Sequence, residues 1–201
     1  MNNLDILGFF AVIVILGICA YIYLDKDSFE LKCIVSTVDG NKYCVREREK
    51  IKKAADLLAK VTEKMKALVQ YVHEKYPDKE NVERLHNGFN PQKVVEILPT
   101  SSFTAYSENK GEKLAFCLNK NNKTNADNDN LIDEGTLTFV AIHELSHIAT
   151  KSVGHKSEFW ENFKFLLEEA KAADIHNPVD YKKTPGEYCS LKLTDNPYYD
   201  V

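Results

Sequence analysis

Residues 139–160 read FVAIHELSHIATKSVGHKSEFW, and the reading of the whole chain starts from them. Within this stretch His143, Glu144 and His147 have the spacing HExxH. On a helix, positions i and i+4 share a face, so both imidazoles can grip one metal ion. Glu144 then stands where it can act as a base toward metal-bound water. The surroundings predict such a helix. Asp133 is a residue type that caps helix N-termini, and Glu134 suits a first turn. Leu137, Val140, Ala141, Leu145, Ile148 and Ala149 recur at helical spacing, so the helix is expected to be buried.

A catalytic zinc site needs three protein ligands and one open position. His155 is the best-placed third ligand. Gly154 before it permits a sharp reversal, and Ser157 after it suits the N-cap of a further helix from Glu158. His155 would then sit on a short turn that folds back toward the first helix. Glu168 and Glu169, on the following helix, and His176 beyond it are the alternatives. Thr150 and Val153 occupy positions where a metzincin has glycine and histidine, which excludes that subclass. The expectation is one catalytic Zn²⁺ on His143, His147 and His155, with Glu144 as general base, in a peptidase acting on a protein or peptide substrate. Two other readings stay open: an inactive zinc-binding or interaction module on a membrane, and a zinc hydrolase of a non-peptide amide or ester.

HELSH, a short linker and then Gly-His-Lys-Ser-Glu-Phe-Trp resemble the WLM family of zinc metallopeptidases, which is related to the SprT-like proteases. The matching residues are His143, Glu144, His147, His155, Phe159 and Trp160; the linker between His147 and His155 is slightly longer than the family's usual one. The resemblance implies an α+β, zincin-like domain in which a small mixed or antiparallel sheet packs on the HExxH helix. It also implies that the last strand before that helix, Lys113–Leu118, runs along the cleft with a free edge for substrate. A small anchored copy of this kind is similar to those of large DNA viruses.

Outside this region the N-terminus is the clearest feature. Ile6 to Leu24 is an uncharged run rich in Ile, Leu, Val and Phe, long enough to span a hydrocarbon core of ~30 Å as a helix. A cleavable signal peptide has a basic n-region, whereas this one begins MNNLD. Residues 1–24 therefore read as a retained transmembrane anchor, and 25–201 as one metallopeptidase domain. No Lys or Arg precedes the span, while Lys26, Lys32 and Lys42 follow it, which predicts a single-pass protein with its domain on the cytoplasmic side. The sequon Asn122-Lys123-Thr124 would matter only in the opposite orientation.

Asp5 is the one charged residue before position 25, so the domain carries 26 Lys+Arg against 29 Asp+Glu. That acidic balance argues against direct nucleic-acid binding. Arg46–Lys53 (REREKIKK) reads as a solvated helix face. A long helix is predicted from about 46 to 76, with Ile51, Ala54, Leu58, Val61, Met65, Leu68 and Val72 as its buried stripe. His73 and His86 read as surface or capping histidines.

Asp39-Gly40, between apolar runs at 29–38 and 42–45, predicts a two-residue hairpin, a register that does not set Cys33 opposite Cys44. In a cytoplasmic domain Cys33, Cys44, Cys117 and Cys189 are expected to be reduced. Strands are predicted at 94–98, 101–106 and 113–118, and a polar surface loop at 119–130 that fails the calcium-loop pattern. Tyr181, Tyr188, Tyr198 and Tyr199 are candidate oxyanion donors, with Tyr188 preferred.

Overall fold

A computed structural model describes residues 3–24, 30–121 and 130–200 of the chain. The sequon, most of the Asn/Asp-rich loop and Lys26 lie outside the described residues. Helix α1 (Asn3–Leu24) is long and apolar enough to cross a membrane, a test that a signal sequence also passes. Its side chains from Ile6 to Tyr23 are exposed.

The rest is a mixed α+β fold. Five strands, β1 (Lys32–Val35), β2 (Lys42–Val45), β3 (Val94–Glu96), β4 (Ala105–Glu108) and β5 (Lys113–Phe116), form one sheet in the order β1-β2-β3-β5-β4. β3 runs parallel to both β2 and β5, while the β1–β2 and β4–β5 pairs are antiparallel. The expectation that Lys113–Leu118 has a free edge is therefore corrected. β5 is paired on both sides, and the edge beyond it belongs to β4, with β1 at the opposite edge.

Helices α2 (Ile51–Lys75), α3 (Glu80–Gly88), α4 (Glu134–Ala149) and α5 (Ser157–Ala172) supply the other half of the core. The predicted stripe of α2 is buried from Ala54 to Val72, with Ile51 only partly so. α4 carries HELSH and packs against α2, α3 and α5 and passes β4, which explains why it is apolar on nearly every side. The Asp133 side chain caps it by accepting from the Thr136 backbone N–H at 2.8 Å. Ser157 is the first residue of α5 rather than its cap, a one-residue shift of the boundary.

Three features depart from the sequence reading or were not part of it. Arg46–Lys50 is not helical, and Arg46 and Arg48 are buried. The chain leaves β2 after Val45 and carries both arginines inward to Glu96 of β3. Arg48 donates to one Glu96 carboxylate oxygen, and the Arg46 backbone N–H donates to the other at 2.7 Å. Glu96 is 1 % exposed. Removing one partner of a buried ion pair strands the other, so Glu96→Ala is expected to lower unfolding stability by about 3–5 kcal/mol, read by urea denaturation.

The first hairpin is the second change. Val35 pairs with Lys42, so six residues, 36–41, lie between the strands, and Asp39-Gly40 sits inside a longer loop. That register sets Cys33 opposite Cys44, and the two form a disulfide. Cys117 and Cys189 form a second one, so only Cys19 in α1 remains a free thiol among the described residues. The expectation of reduced cysteines does not hold.

The third is a hairpin in the tail, β6 (Gly186–Tyr188) and β7 (Leu191–Leu193). Its two-residue turn is Cys189-Ser190, with φ of 51° and 68°. Both residues take the left-handed conformation that a type I′ turn demands, a place where Asn-Gly is usual. His73 and His86 also acquire a definite place: their rings stack between α2 and α3, centroids 3.8 Å apart.

Candidate metal centre

α4 delivers His143 and His147 to one face by its own geometry, and the chain then needs seven residues to return His155 to them. Thr150 ends the helix, Gly154 takes a left-handed φ of +82°, and His155 turns back. The Nε2 atom of His155 lies 3.1 Å from that of His143 and 3.1 Å from that of His147. The three imidazoles are the one group of metal-ligating side chains found together among the described residues, with all ligand atoms within 4.8 Å of one another. Phe159 of α5 backs all three rings, at centroid distances of 4.8, 4.4 and 4.5 Å from His143, His147 and His155. Trp160 adds a face 5.8 Å from the His155 ring. The aromatic pair thus fixes imidazole orientation by packing.

This donor set fits a zinc ion. Three nitrogens at Zn–N distances of about 2.0–2.1 Å and tetrahedral angles stand about 3.3 Å apart, close to the spacing seen from His155. Ring nitrogens this near cannot all aim protons at each other, and a shared cation satisfies all three lone pairs. Burial holds His143 down to about 3, helped by the nearby His147 and His155. Burial likewise holds His147 down to about 4, with help from His155 and Lys110. Both rings are neutral at pH 7, the form that binds metal.

The alternative ligands lie elsewhere. Glu169 accepts from Lys75 Nζ and the Tyr76 hydroxyl, both at 2.7 Å, at the end of α2. Glu168 is exposed. His176 is buried near Lys64 and Asp133.

Glu144 follows His143 on α4 and lines the same cleft. It is 5 % exposed, and burial pushes its carboxyl up to about 8.

The segment from His147 to His155 is held from three sides. Lys110, in the β4–β5 turn, donates to the carbonyls of His147, Thr150 and Ser152 at 3.1, 2.7 and 3.1 Å. Its ammonium meets the negative end of the α4 dipole and satisfies carbonyls the helix cannot. Glu158 of α5 accepts from the backbone N–H groups of Lys151 and Ser152 at 2.9 and 3.2 Å. Arg84 of α3 donates to the Ala149 carbonyl at 3.0 Å. The turn carrying Lys110 is itself pressed against the end of α3: a Cβ on Gly111 would sit 2.4 Å from the Gly88 carbonyl oxygen. Lys110→Met is expected to weaken zinc binding by about tenfold, the low end for residues that support metal ligands. Chelator competition checks it, and Lys110→Arg should recover part of the loss.

The cleft over the three imidazoles has a volume of about 1170 Å³. It is lined by residues 101–110, which include β4, by residues 153–155 of the linker, and by Tyr188, Leu191 and Leu193 of the β6–β7 hairpin. Tyr188 lines it, but its hydroxyl is engaged, accepting from the Cys117 N–H at 3.1 Å and donating to the Thr104 carbonyl at 3.0 Å. It is a structural tyrosine rather than a free oxyanion donor. Tyr199 donates to the Pro178 carbonyl, and Tyr181 packs on Phe139. The contact of Lys110 with the helix end and the place of Phe139 and Val140 in the cleft lining were not read from the sequence. Asn109-Lys110-Gly111 is a legible turn, but nothing local ties its lysine to a helix end 37 residues away.

No family model matches the chain. It is 25 % identical over 191 residues to an uncharacterized protein of Acanthamoeba polyphaga mimivirus, covering 92 % of this chain and 94 % of that one. A second relative, an uncharacterized protein of Invertebrate iridescent virus 3, is 37 % identical over 59 residues, 29 % of this chain and 36 % of the relative. Among solved structures it is similar to the crystal structure of Wss1 from Saccharomyces cerevisiae, with a TM-score of 0.45 and 14 % identity, over 70 % of this chain and 97 % of that one.

Proposed function

We propose that this chain is a membrane-anchored zinc metallopeptidase, with residues 1–24 as the anchor and 25–201 as a zincin-like domain. His143, His147 and His155 hold one Zn²⁺, Glu144 is the general base, and the substrate is a protein or peptide. The observation that carries the reading is the approach of the His155 Nε2 to 3.1 Å from the Nε2 of both His143 and His147. The WLM resemblance of the HELSH…GHKSEFW segment supports it.

A zinc ion held by His143, His147 and His155 would lower the pKa of a water toward ~7 and polarise a carbonyl. Glu144 takes the proton from the attacking water and passes it to the leaving amine. Burial raises the Glu144 carboxyl to about 8, and a cation beside it would draw that value down. The open edge of β4 pairs with an extended substrate backbone, which lays the scissile amide over Glu144. No nucleic-acid contact enters this reading.

The anchor reading rests on the length and composition of α1. For the side of the membrane, two features oppose each other. The lysines after the span favour the cytoplasm, but they act as a bias in insertion. Disulfides between Cys33 and Cys44 and between Cys117 and Cys189 favour an oxidising environment, because cytosolic thiols are held reduced. The cross-links weigh more, and we place the domain where thiols oxidise.

The test uses full-length protein in detergent. One zinc per chain, with cleavage of an unfolded protein that a chelator stops and added zinc restores, is the expected result. Metal-independent cleavage, or a zinc-loaded chain without hydrolysis, overturns the reading.

A further inference from the structure

We propose that the cleft cuts the extended juxtamembrane stalks of other proteins anchored in the same bilayer. This rests on the peptidase and anchor readings and names the substrate class that the site can reach.

Two lengths fix that reach. α1 ends at Leu24, with Tyr21 and Tyr23 in its last turn, the residue type that marks a membrane–water interface. Cys33 of β1 is nine residues further on. Whatever path those residues take, each spans at most ~3.6 Å, so Cys33 stays within about 32 Å of the end of the span. The second length is the width of the sheet. Cys33 pairs with Cys44, Cys44 with Val95, Val95 with Ala115 and Ala115 with Tyr106. This row crosses the sheet in four strand spacings of about 4.8 Å, or ~19 Å. Tyr106 lines the cleft, on the strand whose outer edge is unpaired. Laid end to end, the two lengths keep β4 within about 50 Å of the bilayer surface.

The reach does not grow by unzipping. β1 is a four-residue edge strand next to the tether, the place where a pull from the anchor would peel the sheet. The Cys33–Cys44 disulfide fastens it to β2. What the cleft meets at that height follows from the strand. An open edge pairs with extended backbone rather than with a helix or a folded domain. In an anchored protein, the extended backbone within about 50 Å of the bilayer is the stalk between the span and the first folded domain. Two chains held in one membrane also meet at an effective concentration that a soluble chain lacks.

The experiment places full-length, zinc-loaded protein in dilute vesicles together with single-pass reporters that carry a segment it cuts in detergent. Helical spacers of about 15 and about 70 residues set that segment ~22 and ~105 Å above the bilayer. The low reporter is expected to be cut at least about tenfold faster, the loss that follows when a tether cannot span two sites. A helical spacer of about 50 residues inserted after Asp27 adds ~75 Å of reach. It is expected to raise cleavage of the tall reporter at least about tenfold. Equal rates on the two reporters, no gain from the longer protein, or an intact low reporter while soluble unfolded protein is cut overturns the stalk inference alone. Protein washed from the vesicles by alkaline carbonate overturns the anchor reading, and zinc-loaded protein that cuts nothing in detergent overturns the peptidase reading; the inference falls with either.

Discussion

Glu144→Gln is expected to lower kcat/KM by about 10³-fold, within the range attributed to a positioned general base, while zinc content stays at one per chain. Glutamine keeps the size and shape of the side chain, so α4 and the three imidazoles are undisturbed, but an amide cannot accept the proton. Retained activity within tenfold of the parent would remove Glu144 from this role. The substitution also has a stability signature in the metal-free protein. The folded-state carboxyl is raised to about 8 from an ordinary value of 4.5, so between those values the native state binds more protons than the unfolded state. In the metal-free parent this carboxyl contributes stability that is lost as pH rises from about 4.5 to 8, while His143 and His147, held below their ordinary 6.5, contribute the opposite trend below about 6.5. Glu144→Gln removes the carboxyl's share, read as the difference between parent and variant in thermal denaturation across this pH range.

His155→Ala carries the second large effect. His143 and His147 are set by the helix itself, whereas His155 arrives only through the linker, so this variant asks whether the third imidazole is a ligand. Loss of supporting residues around a metal costs 10–100-fold in affinity. Loss of a direct ligand is expected to exceed about 100-fold, read by competition with a chelator of known affinity. Parent-like affinity would mean that His155 is a loop residue placed beside the other two by packing on Phe159. The helix remains in either case, because the Asp133 cap and the apolar faces of α4 do not involve position 155.

What could be read from the sequence follows what is local. HELSH, the Asp133 cap, Gly154 and the Phe159-Trp160 pair all act within a few residues of each other, so the helix and the return of His155 were legible. The α2 stripe was legible for the same reason. What was not legible depends on strand order and on distant partners. Arg46 and Arg48 look solvated until Glu96, 50 and 48 residues away, turns out to face them. Cys189-Ser190 lacks the composition of a tight turn and becomes one only because Cys117 and the 119–120 carbonyls hold it there. Asp39-Gly40 signalled the reversal correctly and its length wrongly, which moved the register and hid the Cys33–Cys44 pair. The free edge was placed on β5 by the family resemblance, and nothing in the sequence reveals that β5 inserts between β3 and β4.

The position of β4 has a bearing on how copies of the protein behave together. A sheet border with unpaired amides invites neighbouring molecules to stack edge to edge into fibrils. Here that border faces a walled trench, shielded by the 153–155 linker and the tail hairpin. Concealment of this border limits edge-to-edge pairing there, and leaves β1, the opposite border, as the edge that neighbouring copies can reach.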